Sequence, residues 1–261
     1  MLQSLHLDGS ERPVAVLLEG PALRLRRQGV ADVFAPLPRL GRVAVHGTRV
    51  QWRTEALAAC LESGVPVLFH TPRGEWLGTL LPARVPAHRR DLAGLIDMAA
   101  AVPGFRHRLS DFLRAEEARA AVAALSQYTG AEALPQPHPA VLRRAILAAC
   151  PDPAKAEAVW RYLAGLAAGL VAAELARRGV GPRFLCRRTG GMALAEEMGR
   201  ILAWCFGPRL PGLARLVVFG GDGAPDSRAR RLLLHEFERQ GLEAGCAQLL
   251  SRLAGLLADD V

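Results

Sequence analysis

The chain has 261 residues, of which 51% are hydrophobic and 22% charged, with a formal net charge of +8 and a sequence pI near 10.2. This composition excludes a disordered protein. Because Arg, Glu or Gly interrupts the apolar runs well short of the roughly 18 residues of a membrane helix, it also predicts no membrane span. No signal-peptide pattern is present, so we expect a cytoplasmic protein.

The positive charge is carried almost entirely by arginine, since Lys155 is the single lysine. Arginine makes planar, bidentate contacts with phosphate groups. GC-rich codon usage also yields arginine in place of lysine, but it does not account for the net excess of positive charge. That excess favours a polyanionic partner such as DNA.

The first third of the chain is predicted to be β-rich. Short apolar runs between turn residues indicate strands at 14–18, 22–26, 40–47, 65–69 and 73–81. Between them, Thr54–Glu62 begins with a capping residue, shows helical spacing and is followed by Gly64, so we expect one short helix there.

A proline-rich, basic segment at 83–90 is the predicted domain boundary, because the apolar periodicity changes from about 2 to about 3.6 residues across it. We therefore predict an α+β protein, with a small β-rich domain at 1–82, this linker, and a larger all-helical domain at 91–261. Its helices are expected at 91–102, 105–128, 139–150, 153–178, 192–206 and 228–257, the last one broken near 241–245.

Residues 179–198 contain the most informative motif. A Gly-rich turn ends a long apolar helix, and an apolar triplet then leads to Cys186 and two arginines. A glycine pair follows and opens a helix that carries Glu196 and Glu197. A carboxylate and a soft ligand brought together across a turn, beside a basic surface, indicate a metal-dependent nuclease or integrase.

The order of these parts resembles the spacer-acquisition integrase family of CRISPR adaptation. The similar segments are 42–47, 54–61, 64–69 and 74–78 in the β-rich region, the Asp-Pro helix start at 152–153, the Gly-x-x-Pro turn at 179–182, and the basic helix at 228–239. The resemblance implies a DNA 3′-hydroxyl attacking a phosphodiester bond with a divalent metal, Mg²⁺ or Mn²⁺, as cofactor.

The resemblance also implies a metal held by a Glu, a His and an Asp. The matching positions here are Glu117, Cys186 and Glu197, with Glu196 replacing Glu197 if the register shifts by one residue. A second registration places the first ligand helix near 141–149, which contains no glutamate, so that ligand would then be absent.

Two of these three positions depart from the family pattern. A thiolate is a poor ligand for Mg²⁺ or Mn²⁺ and favours Zn²⁺ or no metal. A small buried hydrophobic role explains Cys186 better than a ligand role, and solvated or first-turn helix positions explain the glutamates. We therefore expect an impaired metal site, either weakly active or without any cofactor.

The expected partner is duplex or branched DNA, and the resemblance adds a homodimer through the β-rich domain and a small ferredoxin-like companion protein. The candidate phosphate contacts are Arg143, Arg144, Arg187, Arg188, Arg228, Arg230 and Arg231. Two alternatives stay open. One is a catalytically inactive DNA-binding subunit of an integration complex, and the other is a helical assembly protein with no role on DNA.

Overall fold

The computed structural model describes residues 3–82, 92–126, 138–181, 184–185, 193–220 and 223–258. The chain divides into two compact units, Met1–Val85 and Pro86–Val261. The first unit is rich in β-structure and the second is mostly helical, which confirms the predicted α+β class. The linker predicted at 83–90 lies outside the described residues.

The β unit contains two four-stranded sheets. Its elements are β1 (Gln3–Asp8), β2 (Val14–Glu19), β3 (Ala22–Arg27), β4 (Val30–Pro36), β5 (Leu40–His46), β6 (Val50–Trp52), α1 (Thr54–Glu62), β7 (Val67–His70) and β8 (Trp76–Leu80). One sheet has the order β1-β5-β7-β8, in which β1, β5 and β7 are parallel. The other has the order β4-β3-β2-β6, in which β3 is antiparallel to both neighbours.

Strand β5 runs through the core of the β unit and is buried along its whole length. Strand β2 instead alternates, with Val14 and Val16 fully buried and Ala15 facing outward. Helix α1 packs Ala56 and Cys60 into the same core, where burial raises the pKa of the Cys60 thiol to about 11. The N-terminal unit therefore has its own hydrophobic core.

The described part of the helical unit begins at Leu92. Its helices are α2 (Leu92–Ala99), α3 (Phe105–Leu125), α4 (Pro139–Ala148), α5 (Pro153–Arg177), α6 (Leu194–Ala203), α7 (Leu210–Leu216), α8 (Ser227–Arg239) and α9 (Leu242–Ala258), with a 3₁₀ segment at Trp204–Arg209 between α6 and α7. The predicted break in the last helix is confirmed: α8 and α9 meet at Gly241, whose φ of +59° favours glycine.

Helix α5 is the centre of the helical unit. It begins at a cap in which Asp152 accepts a hydrogen bond from the backbone N–H of Lys155, at 2.9 Å. Among the described residues, α5 is the one helix long and apolar enough to cross a membrane, but 72% of its most apolar window is buried inside the unit. That burial is the pattern of a core helix.

Helices α5 and α6 pack closely because Gly199 has no side chain. A Cβ atom at Gly199 would lie 2.5 Å from the backbone nitrogen of Ala168, nearer than real Cβ atoms approach other atoms. Glycine therefore lets the backbones of the two helices touch. This contact fixes the position of α6, which carries Glu197 and Arg200, against the core.

Candidate functional site

Glu117 lies on α3 and points toward α6. Its carboxylate accepts two hydrogen bonds from Arg200, from Nε and from Nη2, each at 3.2 Å. The indole Nε1 of Trp204 lies 3.5 Å from the same carboxylate, which is 16% exposed. Glu117 is therefore held by partners more than 80 residues away in sequence.

Glu197 lies on α6, one helical turn before Arg200, and its carboxylate also accepts a hydrogen bond from Nη2 of Arg200. It is 18% exposed, whereas the neighbouring Glu196 is exposed to solvent. The sequence left Glu196 and Glu197 as alternatives, and the structure brings Glu197 close to Glu117. The two predicted carboxylates come together on one guanidinium.

Arg200 bridges the two carboxylates, and its ionisation follows from them. Burial alone would lower the pKa of the guanidinium, but the charges of Glu117 and Glu197 and their hydrogen bonds outweigh that effect and raise the pKa. The side chain therefore stays charged at every physiological pH. The guanidinium of Arg200 therefore occupies the place between the two carboxylates that a bound metal cation would need.

Glu116 takes a different direction, although it is adjacent to Glu117 in sequence. It is buried, pairs with Arg119 on its own helix and forms an ion pair with Arg252 of α9 at 2.9 Å. Successive helical residues point about 100° apart, so one of the two glutamates faces α9 while the other faces α6. Glu116 therefore ties α3 to α9.

A cleft of about 990 Å³ opens over Glu117 and Arg200. Its charged and polar lining comes from α3, the start of α4 and α6, namely Arg114, Glu117, Arg119, His138, Arg143 and Arg200. The guanidinium of Arg143 lies over the ring of Trp160, 5.6 Å from its centroid, and Trp160 packs edge-on against Trp204. An aromatic pair thus joins the wall of the cleft to its floor.

The arginines of the cleft all have acidic neighbours. Arg114 pairs with Asp111 at 2.6 Å and Arg143 with Glu157 at 2.5 Å. The pair of Arg114 is well exposed, and such pairs contribute little to stability, about 0–1 kcal/mol. A phosphate group can therefore replace the carboxylate at Arg114 at little cost.

The predicted third ligand, Cys186, lies outside the described residues, as do Arg187 and Arg188. Within the described part of the chain, no group of three or more His, Cys, Asp or Glu side chains is arranged to hold a metal. The donor set that the structure does assemble is two carboxylates that already share a guanidinium. In this arrangement both carboxylates are bonded to the guanidinium, and Mg²⁺ or Mn²⁺ would need those oxygen atoms as ligands.

The other predicted phosphate contacts fall into two groups. Arg144, Arg228 and Arg231 are exposed on α4 and α8. Arg230 is only 3% exposed and donates from Nη1 to the carbonyl oxygen of Pro225 at 2.6 Å. Arg230 therefore stabilises the start of α8 and is not available to DNA, because α8 turns it toward the core.

Two features of the structure were missed in the sequence. Arg200 is one; its spacing of three residues from Glu197 is the available signal. The other is a histidine stack across neighbouring parallel strands, in which His46 lies between His6 and His70 with ring centroids 5.7 and 5.0 Å away. The rings stack face to face, and His46 and His70 are buried.

Comparisons with known proteins agree with this architecture. Residues 11–93 match the family model of the CRISPR associated protein Cas1. The fold is similar to that of TM1797, a CAS1 protein from Thermotoga maritima, with a TM-score of 0.74 at 12% identity, covering 98% of this chain and 96% of that one. No curated protein sequence matches the chain.

Two further solved structures share the fold. A casposase bound to an integration product is similar with a TM-score of 0.66 at 12% identity, over 96% of this chain and 91% of that one. A Cas6-RT-Cas1–Cas2 complex matches with a TM-score of 0.66 at 12% identity, over all of this chain and 36% of the longer one. At these identities the likeness establishes the fold.

Proposed function

We propose that this chain is a DNA-binding subunit of a CRISPR adaptation complex whose metal-dependent step is impaired, because residues 11–93 match the Cas1 family model and the fold is similar to that of a CAS1 protein. The observation that carries this proposal is Arg200 between Glu117 and Glu197, at the floor of an arginine-lined cleft. The subunit acts in the cytoplasm and positions DNA for integration.

The impairment follows from charge and donor chemistry. A divalent cation at this place would have to displace Arg200, whose guanidinium bonds to both carboxylates. Arginine does not lose its charge, so the two cations would repel each other at short range. With a thiol as the third family position, the donor set also lacks the hard oxygen or imidazole ligand that Mg²⁺ accepts.

DNA binding is supported by the cleft and by the net charge of +8. Arg114 and Arg119 offer guanidinium groups along the exposed face of α3, and Arg143 faces them from α4. Arg144, Arg228 and Arg231 are further exposed phosphate contacts on the helical unit. Arg187 and Arg188 remain predicted contacts outside the described residues.

Self-association through the β unit is part of the proposal. Strand β4 is the edge of its sheet, and its side chains Val30, Val33 and Phe34 are 52–56% exposed. An exposed apolar edge strand is a template for pairing with another chain. We propose that a second copy of the chain covers strand β4, and that a small ferredoxin-like companion protein is a further subunit. The Cas1–Cas2 complex among the similar structures supports the companion.

The dimer is tested by sedimentation. Phe34→Asp should shift the protein toward monomer, because it places a charge in an apolar interface. Leu216→Asp, at a position of the helical unit that is 66% exposed, is the matched control and should leave the mass unchanged. A wild-type protein that is monomeric at tens of micromolar would exclude the dimer.

One observation favours a working metal site, namely that the structure does bring the two predicted carboxylates together. In that alternative, Glu117 and Glu197 would hold the metal, and Arg200 would have to release both carboxylates. Strand transfer on branched DNA with Mn²⁺ decides between the two functions. The proposal predicts little or no turnover, equal in wild type and Glu117→Ala. Robust turnover that Glu117→Ala abolishes would establish an active integrase.

The DNA-binding part is tested separately from catalysis. Anisotropy titrations of a labelled duplex should show affinity falling steeply with salt, by a slope of about 0.9 for each phosphate contact. Replacing Arg143 and Arg144 by Gln should lower that slope by about two. Salt-independent or absent binding would favour an assembly protein with no role on DNA.

A further inference from the structure

A second basic site lies on the β unit. It is a cavity of about 650 Å³ lined by three arginines and two amide side chains around a small floor residue, namely Arg12, Arg26, Arg27, Gln28, Gln51 and Ala15. We call it the β trough. Among the residues that the structure describes, no acidic side chain lines it.

The register of the strands creates the β trough. Ala15 on β2 pairs with Arg26 on β3 and with Gln51 on β6, so the three side chains form one row across the sheet. The neighbouring residues Val14 and Val16 point into the core instead. A methyl group between two long polar side chains leaves a trough on the outer face.

The arginines of this face differ in their partners. We call an arginine occupied when it pairs closely with a carboxylate, and available when it does not. Arg24, on the same strand as Arg26, pairs with Asp32 at 2.6 Å and with Glu19 at 2.7 Å. The hydrogen bond to Asp32, followed by that to Glu19, raises the pKa of Arg24. Arg26 lies 3.8 Å from Asp32.

Arg12 and Arg27 differ from Arg24. Within the described residues, the structure gives neither of them an acidic partner. Both are exposed at the rim of the trough. Exposed guanidinium groups without a counter-charge attract anions.

We propose that the β trough binds the phosphodiester backbone of DNA, as a second contact separate from the cleft of the helical unit. Three guanidinium groups around a space of about 650 Å³ suit successive phosphates of a strand better than one small anion. The amides of Gln28 and Gln51 supply neutral donors to the same backbone. The choice of DNA among polyanions rests on the proposed function.

The experiment compares occupied and available arginines on one sheet. Arg12 and Arg27 are replaced together by Gln, and Arg24→Gln is the matched control on the same unit. With a labelled duplex, the double variant should lower the salt slope of binding by about two, since each phosphate contact accounts for about 0.9. Arg24→Gln should leave the slope unchanged, because Glu19 and Asp32 already neutralise this arginine.

Two further measurements make the outcome decisive. A photo-crosslinker attached at Gln28→Cys should capture the duplex at low salt. An unchanged slope in the double variant, or an uncaptured duplex, would overturn the proposal. Inorganic phosphate that saturates the trough and leaves DNA binding unaffected would also overturn it, by assigning the site to a small anion.

Failure of this proposal is distinguishable from failure of the proposed function. If replacement of Arg143 and Arg144 lowers the slope while replacement of Arg12 and Arg27 does not, DNA binds to the helical unit alone and the β trough proposal is wrong. If wild-type protein binds no DNA at all, both are wrong. Unchanged circular dichroism would show that the exposed substitutions leave the fold intact.

Discussion

The cleft of the helical unit and the β trough both contain several arginines, but they differ in what those arginines contact. In the cleft, each of Arg114, Arg119 and Arg200 has a carboxylate within ion-pair distance. In the trough, Arg12 and Arg27 have none within the described residues. A net charge of +8 is thus distributed between arginines that hold the protein together and arginines that are available to a partner.

The difference teaches that arginine content alone does not locate a DNA site. A guanidinium between two partly buried carboxylates, as at Arg200, is a structural cation. A guanidinium paired with one exposed carboxylate, as at Arg114, exchanges readily for phosphate. The following changes test this distinction, from the largest expected effect to the smallest.

The largest effect is expected from Gly199→Ala, which removes the packing that holds the cleft. A methyl group 2.5 Å from the backbone of Ala168 forces α5 and α6 apart. We expect the free energy of unfolding of the helical unit to fall by about 3 kcal/mol, or its Tm by roughly 10 °C.

Gly212→Ala is the matched control for this change, because nothing lies within 4 Å of a Cβ atom at Gly212. Since alanine favours a helix, it should stabilise α7 slightly or leave it unchanged. Thermal unfolding followed by circular dichroism measures both variants. Equal Tm values for the two would show that α5 and α6 can separate without cost at Gly199.

The next effect is expected when the guanidinium of Arg200 is removed from between the two carboxylates of the cleft. Arg200→Ala removes the guanidinium that Glu117 and Glu197 share, and two neighbouring carboxylates attract a divalent cation. We expect Mn²⁺ affinity to rise at least tenfold, about 1.4 kcal/mol, measured by electron paramagnetic resonance of free Mn²⁺.

Arg114→Ala serves as the control for Mn²⁺ binding, because it removes a cleft arginine that pairs with Asp111 and not with the carboxylate pair. It should leave the Mn²⁺ affinity as in wild type. Mn²⁺ binding that is already tight in wild type and unaffected by Arg200→Ala would contradict the role assigned to Arg200.

The next effect is a dependence of the stability of each unit on pH. Burial raises the pKa of Cys60 in the β unit to about 11 and that of Cys246 in the helical unit to about 12. The unfolded chain therefore releases these protons first, so each thiol's contribution to stability is complete below about pH 8 and is lost as pH rises toward the folded-state pKa.

Between about pH 8 and about pH 10, ionisation of each thiol in the unfolded chain should reduce the free energy of unfolding by about 1–2 kcal/mol. Urea unfolding of Cys246→Ala, compared with wild type, should show a shallower decline with pH in the helical unit. Cys60→Ala should do the same for the β unit. Identical pH slopes in wild type and both variants would mean that water reaches these thiols.

The smallest effect on stability is expected at the exposed ion pair of the cleft. Arg114→Gln should change the free energy of unfolding by less than about 0.5 kcal/mol, since the pair with Asp111 is exposed. It should nevertheless lower the salt slope of DNA binding by about one. A large loss of stability without any change in slope would make Arg114 structural, as Arg200 is.

Most elements of the fold were predictable because their apolar patterns are strong. Strands β2, β3, β5 and β7 and most of the helices follow their predicted ranges. Strands β1, β4 and β6 were not predicted. Strand β4 is an exposed edge without the alternation of a half-buried strand, and β6 has only three residues that pair with β2. Pairing with a neighbour, which local sequence does not encode, defines these strands.

The candidate site was predictable in part. Glu117 and Glu197 were selected from their positions within motifs, and the structure places them side by side. Their common partner Arg200 was not, because the contact depends on how α3 packs on α6, 83 residues apart. Arg230 was predicted as a phosphate contact, but it is buried while its neighbour Arg231 is exposed. The sequence alone does not distinguish two adjacent arginines on a helix.

The contact between Gly199 and Ala168 has a consequence for how such a site changes over evolutionary time. The backbone contact between α5 and α6 lies at Gly199, a position that carries no side chain, whereas the candidate ligands lie at other positions of α6. Mutations can therefore exchange one set of ligands for another while the scaffold keeps its shape. A chain of this fold can therefore lose its ligand chemistry without losing its scaffold.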